Sequence, residues 1–287
     1  MVETTFTRRH ALATLAGSSA AMAAPASAAP AQAAPVADVP RMCVLTPQQI
    51  EGPYYFDPGL VRSDIREDRE GIALRLSLQV ADAGSCKPIV GARVDVWHAD
   101  ALGWYSGYKG QSDGHDVSTV GRTFLRGIQT TDDAGLVGFD TIYPGWYQGR
   151  TAHIHFKVFL DRTSVLVGQL YFPDALSEYI YTKIPPYSSR AERDTINKTD
   201  MVLMMGRDDP HQSFCRIKEE ADCYLASLVL GVDRAGRPIE GPPGPPPGMA
   251  GGPPPKFAGG PPPGFAGPRR PQDAAALVPP LVTPSRR

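Results

Sequence analysis

The chain has 287 residues, and its 29 Lys and Arg against 30 Asp and Glu leave a formal net charge of −1. No basic block stands out, which argues against a general nucleic-acid binder. The hydrophobic fraction of 42% is ordinary for a globular core, and the length permits one large domain or two small ones.

The N-terminus carries the pair Arg8-Arg9, then a weakly apolar, Ala-rich run with small-residue cleavage options ending at Ala28 or Ala33. Residues 1–33 are therefore expected to be a twin-arginine export signal, giving a periplasmic or extracellular protein. The apolar run is too short and too rich in small residues to span a membrane.

Residues 39–233 form the body, and their patterns are mostly of period two. Leu74–Val80, Ala92–Asp100, Gly135–Gly145, His153–Leu160, Val165–Phe172 and Cys223–Val232 each read as strands. Turn signals such as DAGSCKPIVG, TDDAG and FPDALS separate them. Short helices are expected at most near Pro173–Tyr181 or Arg190–Asn197. The run Cys223–Val232 has helix-compatible composition, but its β-branched residues and Gly231 favour strand. The expected fold class is all-β: a single β-sandwich domain with short helical loops.

From 236 to 287 the chain is rich in Pro and Gly, and the unit GGPPPxFA occurs twice, at Gly251–Ala258 and Gly259–Ala266. Glycine does not recur every third residue, so the tract is not collagen. It cannot bury a core and is expected to be a disordered tail. The four cysteines are Cys43, Cys86, Cys215 and Cys223. An even count in an exported chain suggests disulfides, and no C-x-x-C pair points to thiolate-bound metal. Cys215 and Cys223 are close enough to bridge across a turn. Cys43 with Cys86 would then pin the N-terminus to the body.

The stretch GWYQGRTAHIH, Gly145–His155, concentrates the chemistry. His153 and His155 stand at i and i+2, so on a strand they share a face, with Lys157, while Ile154, Phe156 and Val158 take the other. The other histidines, His10, His98, His115 and His211, stand alone. Lys157, Val158 and Phe159 follow the pair, so the Glu that cupins place after H-x-H is absent. An Fe(II) facial triad would need a carboxylate, and none is close in sequence. Tyrosines lie nearby instead: Tyr143, Tyr147, Tyr105 and Tyr108. Phenolate is a hard anionic donor that ionises below its free pKa of about 10 only when a strong Lewis acid binds it. Two phenolates with two imidazoles suit ferric iron.

With these motifs the body resembles the intradiol ring-cleavage dioxygenases, the group of protocatechuate 3,4-dioxygenase and catechol 1,2-dioxygenase. The resemblance runs from LTPQQIEGPYYFD to LASLVLGVD, through GARVDVWHADALGWYSGY, FLRGIQTTDDAG, TIYPGWYQGRTAHIHFKV and GQLYFPD. It implies Tyr105, Tyr147, His153 and His155 as ligands of Fe(III). It makes Arg150 a residue lining the substrate site and Gln169 one that supports it. Tyr108 is the rival of Tyr105, and the motif favours Tyr105. The implied reaction is cleavage of a catechol by O2 between its two hydroxyl-bearing carbons, giving a muconate-type diacid, with Tyr147 also able to accept a proton. Two departures stand out. Only Gln148 and Gly149 separate Tyr147 from Arg150, where members acting on intracellular catechols carry a longer insertion. The helical N-terminal dimerisation segment typical of catechol 1,2-dioxygenases is also missing, so the site is expected to be more open. The oligomeric state stays open, a homo-oligomer included. Two other readings of the body are a secreted, non-catalytic β-sandwich binding module and a zinc hydrolase using the histidine pair.

Overall fold

In the computed structural model, which describes residues 44–205 and 210–239, the period-two segments pair into two four-stranded sheets. The strands are β1 (Ala73–Asp82), β2 (Arg93–Trp97), β3 (Arg126–Thr130), β4 (Leu136–Ile142), β5 (His153–Leu160), β6 (Thr163–Tyr171), β7 (Arg216–Glu219) and β8 (Tyr224–Val232). One sheet has the order β4-β1-β8-β7 and the other β3-β2-β5-β6. Pairings are antiparallel except β1 with β8, which run parallel. This is the expected β-sandwich. The export signal at 1–33 lies outside the described residues, as does nearly all of the Pro/Gly tail.

Alternation decides which face of each strand is buried. Leu74, Leu76, Leu78 and Val80 on β1 face Val94 and Val96 on β2 and Ile154, Phe156 and Val158 on β5 in one core between the sheets. Each such side chain contributes about 1.5–3 kcal/mol by leaving water. Gly168 on β6 makes room for Phe156, whose ring atom Cζ would lie 2.4 Å from an added Cβ.

Helix α1 (Asp174–Lys183) forms at the first of the two expected places. The second, Arg190–Asn197, stays non-helical apart from its last residue. Its side chains are committed elsewhere: Arg193 pairs with Asp174 and Glu178 on α1, and Asp194 accepts from the Gly149 amide. A short helix α2 (Met201–Met205) begins after Asp200, whose Oδ1 accepts from the amides of Val202 and Leu203. The Cys215–Cys223 bridge does not form. Both thiols are free, with Cys215 buried beneath the Tyr171 carbonyl and Cys223 beside β8. Cys86 is disulfide-bonded, whereas Cys43 lies outside the described residues.

Candidate metal centre

The outer face of the second sheet is also buried. Cross-strand pairing sets Arg126, Trp97, His155 and Gln169 in one row over β3, β2, β5 and β6, and sets His153 opposite Tyr171 beside it. Directly paired residues share a face, so the two histidines project into a polar, aromatic layer rather than into the core. Both are buried. The His155 ring stacks on Trp97 at 4.7 Å and 12°.

Two loops bring tyrosines over this face. The loop after β2 is braced by Asp100, whose Oδ1 accepts from the amides of Leu102 and Trp104, each at 2.9 Å. Gln111 accepts from the Tyr105 amide at 2.8 Å, and Arg126 grips both the hydroxyl and the carbonyl of Ser106. Tyr105 is thereby fixed, and Tyr54 stacks on it at 4.4 Å. Tyr147 sits instead in the tight turn between β4 and β5, closed by the Arg150 amide donating to the Tyr147 carbonyl at 2.9 Å. Gly149 takes φ +79°, a region that favours glycine. Gly145 lets the two loops touch: a Cβ there would stand 2.4 Å from the Asp100 carbonyl oxygen and 2.6 Å from that of Ala101.

Four donor atoms converge. His153 Nε2 lies 3.3 Å from the Tyr105 hydroxyl, 3.3 Å from that of Tyr147 and 3.1 Å from His155 Nε2. His153 Nδ1 is 2.7 Å from the Thr151 carbonyl, which requires a proton on Nδ1 and leaves the Nε2 lone pair pointing at the cluster. Donors bound at about 2.0–2.1 Å to one ion stand roughly 2.9–3.4 Å apart at angles near 90–110°, and the cluster has that spacing. Among the described residues no group of three or more His, Cys, Asp or Glu is set to hold a metal, so the partners of the histidine pair are phenols. Burial raises both phenols above their ordinary range, Tyr105 strongly, with Tyr147 adding to the rise at Tyr105 and Arg150 opposing it at Tyr147. Burial, then Arg150, holds both imidazoles neutral. The cluster thus sets two phenols around the Nε2 of His153, with the Nε2 of His155 beside it. That donor set fits a strongly acidic, oxophilic ion.

Arg150 lies against the cluster. Its Nη1 is 3.2 Å from the Tyr147 hydroxyl and its Nη2 donates to Gln169 Oε1. Asp200, fully buried, accepts from Arg150 Nε at 2.9 Å and from the Thr151 amide at 2.9 Å. Burial works against the Arg150 charge, but Asp200, Tyr147 and Tyr171 outweigh it and secure the cation. Gln169 is anchored in turn by donating to the Ile50 carbonyl at 3.2 Å. All six expected site residues therefore meet in one place. Tyr108 does not join them: its hydroxyl donates to the Tyr55 carbonyl at 3.1 Å. Tyr143 lies in the core with its hydroxyl 2.7 Å from that of Ser177. Asp200, Tyr54 and Gln111 were not read from the sequence, because no motif spacing links them to the ligands.

A solvent-facing cleft that Tyr147 and Tyr54 help to line lies beside the cluster. Residues 48–214 match a family model described as Dioxygenase. A solved structure, an intradiol ring-cleavage dioxygenase from Tetranychus urticae, is similar at 34% identity with a TM-score of 0.61, covering 68% of this chain and 97% of that one. Catechol 1,2-dioxygenase of Acinetobacter baylyi is 29% identical over 214 residues, 66% of this chain and 64% of that protein. The beta chain of protocatechuate 3,4-dioxygenase from Burkholderia cepacia is 38% identical over 110 residues, 35% of this chain and 45% of that one. The chain spans about half to two thirds of the length of the curated relatives it matches.

Proposed function

The chain belongs to the intradiol ring-cleavage dioxygenases, and from that premise we propose that it is an Fe(III)-dependent oxidoreductase that uses O2 to cleave a catechol between its hydroxyl-bearing carbons, giving a muconate-type diacid. The observation that carries the reading is the convergence of two phenol oxygens and the His155 Nε2 on the His153 Nε2, at 3.1–3.3 Å from it. Tyr105, Tyr147, His153 and His155 would hold the iron. Bound there, ferric iron would supply the Lewis acidity that makes a diol ring reactive toward O2.

The residues of the chain divide the remaining work. Tyr105 is clamped by Gln111 and stacked under Tyr54, so it keeps its place. Tyr147 rides on a tight turn with glycines at 145 and 149, so its side chain can swing aside as a diol enters. Its phenolate oxygen then accepts one of the diol protons, a general-base role. Arg150, held by Asp200 and Gln169, keeps a fixed positive charge beside the cluster and stabilises negative charge developing on the ring. Tyr54, Tyr105 and Trp97 exclude water from the histidine side.

The test is metal analysis and a catechol screen on purified protein, following O2 uptake and product. About one ferric ion per chain, visible colour and a ring-opened diacid are expected. A colourless protein with stoichiometric zinc, or no O2 uptake with any diol, would overturn the reading. We further propose export, on the strength of Arg8-Arg9. Replacing both arginines by Lys should trap the protein in the cytoplasm, and continued export would reject this. Among the described residues no helix is long and apolar enough to cross a membrane.

A further inference from the structure

The cleft outside the cluster decides which ring substituents a bound diol can carry. It is lined by Tyr147 and Tyr54 at its inner end and by Gln111, Asp113, His115 and Arg190 farther out. Because Tyr147 lines the same cleft as these outer residues, a diol bound beside Tyr147 would bring its ring substituents toward them. The charges there are already arranged. The Arg190 guanidinium lies 4.1 Å above the Trp146 ring, donates to the Trp146 carbonyl, and donates to Asp113 Oδ1 at 2.8 Å. Its side chain is only 9% exposed, whereas that of Asp113 is 56% exposed. The second carboxylate oxygen of Asp113 has no partner among the described residues. No lysine lines the cleft. Arg150, behind Tyr147 with its Nη1 3.2 Å from that hydroxyl, is committed to Asp200 and Gln169. An entering carboxylate would therefore find an exposed carboxylate and no unpaired guanidinium.

We infer that this cleft selects catechols with uncharged ring substituents and disfavours those bearing a carboxylate, with Asp113 as the specificity-determining residue. The inference rests on the reaction proposed above. Its physics is twofold. Asp113 repels an anion directly, and by occupying Arg190 it withholds the nearby cation that would otherwise pair with one. Because Asp113 is half exposed, the effect is moderate, about tenfold at low ionic strength, and it shrinks as salt is added.

The experiment compares 4-methylcatechol with 3,4-dihydroxybenzoate by kcat/KM on the iron-loaded full chain, at low and high salt. In parallel, calorimetry measures binding of 4-methylphenol and 4-hydroxybenzoate, which need no turnover. The wild-type protein should favour the uncharged member of each pair by about tenfold, less at high salt. Asp113→Asn should narrow both ratios by removing the negative charge that repels the anion and offsets that of Arg190, and Asp113→Glu should keep them. Equal use of charged and uncharged diols by the wild type, or an unaltered ratio in Asp113→Asn, would overturn the inference while leaving the reaction standing. Selective binding of the phenols without cleavage of either diol would instead uphold the cleft and count against the reaction.

Discussion

Asp200 stands fifty positions from Arg150 in sequence and touches it in the fold, and it is the residue whose loss separates charge from position. Asp200→Asn keeps the shape but leaves the Arg150 guanidinium buried without its carboxylate. Breaking such a pair typically costs about 3–5 kcal/mol of stability. The expected outcome is a lower unfolding midpoint together with slower turnover, read by denaturant titration and by kcat on folded protein. Arg150→Ala should leave the metal bound and cost about 10²–10³ in rate; undiminished turnover would place Arg150 outside the chemistry. The two tyrosines should differ because their backbones differ. Tyr105→Phe should alter the visible spectrum of the iron protein both with and without an anaerobic diol, since its loop is clamped. Tyr147→Phe should alter chiefly the diol-free spectrum and slow diol binding. The reverse pattern would exchange their roles.

Loops and strands carry these residues with different tolerances. Gly145 is where the Tyr105 and Tyr147 loops touch, and Gly145→Ala would force a Cβ to within 2.4 Å of the Asp100 carbonyl. Backbone must move on one side or the other, so iron affinity and turnover should fall together while the β-sheet signal in circular dichroism persists; an unaffected site would mean that the loops are not coupled. The same elements explain what was legible in the sequence. Strands with one apolar face, such as β1 and β5, announce themselves by period two, and β5 also displayed the histidine pair. β3 and β7 did not. β3 opens on Arg126, a buried arginine where the pattern expects an apolar side chain, and β7 is a short polar edge strand. Within the site, residues on β5 and the adjoining turn are neighbours in sequence and could be read as a unit. Asp200 and Tyr54 reach it only through long-range packing, which no local period encodes. Of the two places open to a short helix, α1 forms at the first, whereas at Arg190–Asn197 pairing with α1 and with the Tyr147 turn overrides a weak local preference.

For the molecule as a whole, cysteine state and acid response can both be measured. Cys223 should react with a thiol reagent in native protein, whereas Cys215, buried and with its thiol pushed up by burial, should react only after unfolding. Native reactivity at neither site would restore the rejected bridge. The acid response follows from three buried imidazoles. His98 lies between the Ala99 carbonyl and the Thr141 hydroxyl, and burial lowers its pKa to about 4. His153 and His155 are also held well below the ordinary value, again first by burial. In the unfolded chain all three take up a proton near their ordinary value of about 6.5. Between that pH and about 4 the unfolded state therefore binds more protons, so stability is full above pH 6.5 and falls as the pH drops. Each imidazole contributes a slope of about 1.4 kcal/mol per pH unit at most. Asp100 and Asp174, raised by burial, act in the opposite sense, but from a starting value of 3.8, so they matter mainly at the acid end of the window. Metal-free protein should thus lose denaturant resistance steadily from pH 6.5 to 5. His98→Gln should remove about a third of that slope, because one imidazole of three is gone. Iron should steepen it instead, because the imidazoles are already neutral in the metal-free fold and coordination would also take the protons of Tyr105 and Tyr147, so that the folded state holds still fewer protons than the unfolded one. A slope that neither His98→Gln nor iron changes would show that the acid sensitivity arises in surface carboxylates instead.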